Sequence, residues 1–378
     1  MPDRRRTHQL QIVIGDGRTG PHNAITDVPG VRVGHTTLCH GDGPLVRGRG
    51  PVRTGVTIVH PQAGDSFQRP VHAGIHWLNG NGEMTGTAWL VENGLLGSPI
   101  GLTNTGSVGV VRDTLTALQC EQDGQQPWTL PVVAETWDGF LNDVGGQHVS
   151  PEHVRAAYQN AAGGPVAEGN VGGGTGMVCH DFKGGIGTSS RVVSTVDGPV
   201  TVGVLVQANH GIRKRLSILG VPVGEVVDSS VVPVPEMPEA PGVHGAGSII
   251  TVVATDAPLS ARQCTRLAQR ATLAIGRTGG AGENDSGDGV IAFSTAGAGV
   301  IPSAGYARQR AGSYQVDVLS DDAIDALFYA VIDATEEAIL NAMLAARTMT
   351  GRDGVVVHQL PAEVLLRTLA DFRRGPLG

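Results

Sequence analysis

Aromatic residues are scarce in this chain: Phe, Trp and Tyr make up 4% of its 378 residues. The core must then be filled largely by Val and Ala, which suit thin, closely stacked layers. Positive charge is also short. The formal net charge is −8 and no Lys/Arg run exceeds Arg4-Arg5-Arg6, which argues against nucleic acid as a partner. No window approaches eighteen apolar residues, so no membrane span is expected. The stretch Leu10 to Ile14 is too short for the apolar region of an export signal and ends in Gly15-Asp16-Gly17. Cys39, Cys120, Cys179 and Cys264 lie far apart and form no C-x-x-C pair. They are expected to be reduced, buried thiols, and the protein to be cytoplasmic.

Glycine, by contrast, is abundant, at 56 residues, roughly twice the usual share of about 7%. The glycines follow no period and proline is not equally enriched, which excludes collagen-like and linker sequences. Short β-type runs alternate with Gly/Asn/Asp turns through the first 250 residues, among them Gln11–Ile14, Gly55–His60, Val132–Ala134, Arg191–Thr195 and Thr201–Gln207. Helices are expected near Thr85 to Leu95 and from Ser150-Pro151-Glu152, an N-cap serine followed by proline and an acid. After residue 250 the helical signals strengthen. Ser260 to Gln263 forms a capping box with Leu259 as staple, and Cys264, Leu267, Ala268, Ala271 and Ile275 follow helical spacing. A long helix is expected from Ser320 to about Met349, and Pro361 opens a last short one. The Pro-rich Val232 to Pro241 reads as an extended surface loop where the chain can part. No boundary divides the chain, so one domain over residues 1–378 is expected. Its mixed strands and few long helices suggest a layered α/β sandwich.

Several motifs fail on context. Gly15 to Gly20 matches G-x-G-x-x-G, but turn residues follow where a dinucleotide site needs a helix. There is no P-loop and no G-x-S-x-G. His72/His76 and Cys179/His180/Asp181 lack a recognised zinc spacing, so no metal and no cofactor is expected.

One constellation coheres. In His244-Gly245-Ala246-Gly247-Ser248-Ile249-Ile250-Thr251-Val252-Val253, a Gly-rich turn runs into a β-branched apolar run. Ser248 stands where turn becomes strand. It is either an ordinary capping serine or a nucleophile. Freed from Gly247, it would carry a hydroxyl and an α-amine on one residue, and an α-amine with a pKa of about 7.7–8.0 can serve as base for that hydroxyl. One helix later, Gly280 to Gly289 carries Ser286 and Asp288 just ahead of Val290-Ile291-Ala292-Phe293. A strand, a helix and a return strand would bring both beside Ser248, on one face if the segment is extended. Asn209, in Val206 to Gly211, ends another strand with a carboxamide suited to an oxyanion. Each piece alone also reads as turn chemistry.

Together the chain resembles the L-aminopeptidase/D-esterase family of self-processing aminopeptidases, the DmpA type that includes β-peptidyl aminopeptidases. The carriers are Ile25 to His35, Leu102 to Gly106, Pro131 to Glu135, Gly169 to Gly176, Lys183 to Arg191, Val206 to Gly211, Gly245 to Ile250 and Ser286 to Asp288. The resemblance implies a four-layer αββα sandwich like that of N-terminal-nucleophile hydrolases, with different connectivity. It implies autocleavage between Gly247 and Ser248 into chains 1–247 and 248–378. It makes Ser248 the nucleophile, Asn209 an oxyanion donor, and Ser286 and Asp288 supports for the amine and for proton transfer. Glu135 is the expected anchor for the ammonium of a small peptide, amide or ester substrate. Trp137 stands where relatives often carry Tyr, and is expected to shape the pocket. A homo-oligomer, by resemblance a tetramer, is implied. Relatives acting on pantetheine-type or nylon-oligomer amides, or the ornithine acetyltransferase type, remain alternative activities.

Overall fold

The computed structural model describes residues 5–123, 129–236, 247–301 and 313–374. Two sheets carry the molecule. Strands β1 (Arg32–His40), β2 (Val52–His60), β5 (Ile100–Asn104) and β6 (Val132–Thr136) form a four-stranded sheet in the order β1-β2-β5-β6. Strands β3 (Val71–Gly80), β4 (Leu95–Leu96), β9 (Gly185–Thr195), β10 (Gly198–Ala208), β11 (Ile249–Thr255) and β12 (Gly287–Ser294) form a six-stranded one, ordered β4-β3-β12-β11-β10-β9. Two short ladders complete the strands: β7 (Val178–Cys179) with β8 (Phe182–Lys183), and β13 (Met349–Thr350) with β14 (Val356–Val357).

The period-two alternation of the strands explains the layering. In β11, Ile250, Val252 and Ala254 face the other sheet, while Ile249 and Val253 face helices. In β12, Ile291 and Phe293 face the other sheet, while Val290 and Ala292 face helices. The four-stranded sheet answers with Ile100, Leu102, Val132 and Ala134 inward, and Val56, Ile58 and Val133 outward. Strands apolar on both faces have to be covered on both.

The helices supply that cover. α2 (Val108–Asp123) and α3 (Pro151–Gln159) lie on the four-stranded sheet through Val111, Leu115, Val154 and Ala157. α5 (Ala261–Arg277) and α6 (Asp325–Leu344) lie on the six-stranded sheet through Leu267, Ala271, Val331 and Ile339. The short helices α1 (Thr87–Asn93) and α4 (Val223–Val226), with the C-terminal α7 (Ala362–Arg374), flank this frame. A Cβ on Gly187 would fall 1.9 Å from the Ala338 carbonyl, so glycine there lets α6 settle onto β9. The αββα sandwich expected from the sequence is present.

Local signals fared unevenly. Ser260 caps α5 as expected, its side chain accepting from Gln263 N. The long helix begins with a single turn at Asp321–Ala323, continues as α6 from Asp325 and ends at Leu344, short of Met349. Gln11–Ile14 is not a strand: Gln11 adopts a left-handed φ of 56°, and Ile12 and Ile14 plug into the core instead. All four cysteines are free, but Cys39 and Cys120 are exposed, so the expectation of burial holds only for Cys179 and Cys264. Part of the Pro-rich loop, residues 237–246, lies outside the described residues. Among the described residues no helix is long and apolar enough to cross a membrane.

Candidate active site

Ser248 stands one residue before β11, a strand paired on both sides. Ile249 pairs with Ala208 of antiparallel β10 and with Asp288 of parallel β12, the return strand after α5. The β11–α5–β12 crossover therefore delivers Asp288 to the residue after Ser248. β10 delivers Asn209, whose backbone N–H donates to the Ser248 carbonyl at 3.0 Å. By the alternation of β11, Ser248 continues the row of Ile250 and Val252 that faces the four-stranded sheet.

The Ser248 hydroxyl oxygen accepts a hydrogen bond from Gly287 N at 2.9 Å. The carboxylate of Asp288 receives two bonds at Oδ1, from Ser286 Oγ at 2.6 Å and from Ile249 N at 3.1 Å. Ser286, Asp288 and Ser248 are all buried. Burial pushes the Asp288 carboxyl up to about 6, and the bond from Ser286 only partly offsets this. A group titrating there can exchange a proton near neutral pH.

Asn209 is fixed by both ends of its carboxamide. Its Oδ1 accepts from Val178 N at 2.7 Å and its Nδ2 donates to the Trp137 carbonyl at 2.9 Å. An amide nitrogen carries two N–H donors, so one remains beyond the bond to Trp137. Gly247 is held against the same residue: a Cβ there would fall 1.8 Å from the Asn209 carbonyl oxygen. No larger residue fits before Ser248 without displacing β10.

Glu135 is the last residue but one of β6, in the facing sheet. Its Oε1 accepts from Glu83 N at 3.1 Å and its Oε2 from Thr105 Oγ1. Burial raises its pKa, with the Thr105 and Glu83 bonds pulling the other way. The loop after β3 joins it to the nucleophile. A Cβ on Gly82 would lie 3.2 Å from Gly287 Cα, 3.4 Å from Glu135 Oε1 and 3.5 Å from the Trp77 ring. The carboxylate and the serine-bearing strands thus converge on one narrow stretch of backbone.

Trp137 reaches the site through its backbone. Its carbonyl holds Asn209, while its ring packs edge-on against Phe140, centroids 5.6 Å apart, beside Leu141 and Val178. Trp77, which the sequence reading passed over, is the tryptophan at the Gly82 convergence and also lies against Gly289. Its only sequence signal was being a rare aromatic, three residues before the end of β3.

A serine at a strand start in an αββα sandwich, with a carboxamide just past the end of one adjacent strand and a carboxylate on the other, points to a hydrolase. Residues 23–357 match peptidase family S58. The β-peptidyl aminopeptidase BapA of Sphingosinicella microcystinivorans is 48% identical over 369 residues, covering 95% of this chain and 90% of that protein. A β-aminopeptidase from Burkholderia sp. superposes with TM-score 0.88 at 49% identity, covering 97% of this chain and 99% of that one. The L-aminopeptidase D-Ala-esterase/amidase of Ochrobactrum anthropi, a prototype for the serine aminopeptidases and a variant of the Ntn hydrolase fold, superposes with TM-score 0.88 at 42% identity, covering 98% and 99%. The chain belongs to peptidase family S58 and is an aminopeptidase.

Proposed function

We propose that the chain matures by cutting itself between Gly247 and Ser248, and that chain 248–378 then uses the freed Ser248 to release small N-terminal residues from peptides, amides or esters. In maturation the Ser248 hydroxyl adds to the Gly247 carbonyl carbon. The C–N bond breaks as the nitrogen takes up a proton, leaving an ester between Gly247 and the Ser248 oxygen. Water hydrolyses that ester, giving a Gly247 carboxylate and a free Ser248 amine. In turnover the amine takes the hydroxyl proton while the oxygen attacks the substrate carbonyl, then returns the proton to the leaving group; water hydrolyses the resulting Ser248 ester, which frees the N-terminal residue and restores the hydroxyl.

The observation that carries this reading is the Ser248 hydroxyl, held by Gly287 N–H between Asn209, just past β10, and Asp288 on β12. Asn209 supplies a fixed N–H to the developing oxyanion, the kind of donor that is worth most when it need not reorganise. Asp288, with Ser286 bonded to it, stores the proton or orients the amine. Glu135 receives the substrate's ammonium: its two protein bonds leave lone pairs free, and a buried ammonium without such a partner is costly. The Trp77 ring at Gly82 favours small side chains at that end of the cleft.

We extend the proposal to a cytoplasmic homotetramer. Four free cysteines suit a reducing compartment, and exposed Leu273, Tyr329 and Phe372 on the outer helices offer apolar contact area.

The test is a denaturing gel with N-terminal sequencing, followed by Ala-p-nitroanilide with a free and an acetylated amine. Two bands, the smaller beginning Ser-Ile-Ile-Thr, and hydrolysis of the free amine alone are expected. A fully active protein with an intact Gly247–Ser248 bond would refute the maturation step. Equal rates on the two substrates would make the enzyme an amidase without an ammonium anchor.

A further inference from the structure

The β7–β8 turn and the end of β10 bring together a second cluster of chemistry-bearing side chains, next to Asn209 but outside the catalytic set. Cys179, His180 and His210 are all buried. One ligating atom from each lies within 4.8 Å of the other two. Cys179 Sγ is 3.8 Å from His210 Nδ1. The His180 backbone N–H donates to the His210 carbonyl at 2.8 Å, which ties the two histidines together, and their rings stand edge to face with centroids 5.1 Å apart.

Hydrogen bonding leaves this cluster unfinished. His180 Nε2 is buried without a hydrogen-bond partner, and His210 turns Nδ1 toward Cys179 Sγ. His180 turns Nδ1 to the Ile212 carbonyl at 3.3 Å. That acceptor holds the ring proton on Nδ1 and leaves Nε2 as a bare lone pair, the arrangement by which a backbone carbonyl orients a ligating imidazole.

We propose that Cys179, His180 and His210 bind a zinc-like divalent cation as one thiolate and two imidazoles, with water in the fourth position. Zn–S and Zn–N bonds of about 2.3 and 2.1 Å at tetrahedral angles separate sulfur from nitrogen by about 3.6 Å. The observed Cys179–His210 separation of 3.8 Å already meets this. On binding, the Cys179 S–H bond breaks, a sulfur–metal bond forms and the proton leaves to solvent. The site would brace the active centre from behind, because Val178 N–H holds the Asn209 carboxamide and His210 follows Asn209 in the chain. The proposal does not depend on how Ser248 reacts.

The test strips the purified full-length protein with a chelator and titrates it with Co²⁺, then Zn²⁺. Folded wild type is expected to bind one cobalt per chain, with a thiolate-to-cobalt charge-transfer band in the near ultraviolet that zinc abolishes. Cys39→Ser and Cys120→Ser, at exposed positions, should keep the band. Cys179→Ala and His210→Phe, if folded by circular dichroism, should lower metal content to background. Should either fail to fold, the wild-type band together with its survival in the Cys39 and Cys120 variants carries the result. No band in folded wild type, loss of the band in Cys39→Ser or Cys120→Ser, or undiminished metal in a folded His210→Phe variant would overturn the site.

Discussion

Asp288→Asn should stabilise the protein while disabling it. Asparagine keeps an oxygen able to accept from both Ser286 Oγ and Ile249 N, so the local bonds survive and only the charge is lost. The Asp288 pKa rises from its ordinary 3.8 to about 6 through burial, so the folded chain binds this proton more tightly than the unfolded one. Stability therefore falls as pH climbs from about 4 to 6, and above 6 the folded state carries the whole penalty, an upper bound of about 3 kcal/mol. The comparison belongs in a Ser248→Ala background, where both proteins stay uncut. Chemical denaturation at pH 7 should show the Asp288→Asn protein more stable by up to about 3 kcal/mol, with the gain fading toward pH 4. With Ser248 restored, Asp288→Asn should slow cleavage and turnover. In the wild type, turnover should decline as acid titrates this carboxyl near pH 6. A gain that is absent, or the same at pH 4 and pH 7, would mean that Asp288 is not a strained buried carboxylate.

The other predictions are shorter. Asn209→Ala, assayed after complete cleavage, should lower kcat by about 10²–10³, the usual cost of one oxyanion donor; near-normal kcat would remove Asn209 from that role. Glu135→Gln should cost about 30-fold or more in kcat/KM on a free-amine substrate, since an ammonium would be left buried without its charge partner; an unchanged kcat/KM would move the anchor elsewhere. Gly247→Ala should block cleavage because its methyl collides with the Asn209 carbonyl, and the uncut chain on a denaturing gel is the readout.

The strands around Ser248 were legible because their signals are local. The capping box at Ser260 and Gln263, the helical spacing through Ile275, and the apolar runs on either side define a strand–helix–strand unit, and a parallel return fixes Asp288 beside Ile249. What was missed depends on distant chain. The α2 helix went unread: a 3-10 turn, not a side-chain cap, leads into it. Gly82 and Trp77 join the site only because β3 pairs with β12, and no spacing in the sequence encodes that pairing. The nearness of His210 to Cys179 and His180 was illegible for a related reason. The β9–β10 hairpin returns His210 to Cys179 and His180 from thirty residues away, whereas Asp181 accepts from Arg213 N.

The order of strands in the six-stranded sheet has a consequence for how a cut molecule holds together. β4, β3, β10 and β9 precede the Gly247–Ser248 bond, while β12 and β11 follow it and lie between them. A break at that bond therefore produces two polypeptides shuffled into one sheet, with the shorter one's central pair clasped on both edges by the longer. Neither piece can leave without tearing ladders from β3 and β10 at once, so the halves should unfold in a single transition. Expressed separately, each would present raw strand edges to solvent and would need the other present during folding to close them.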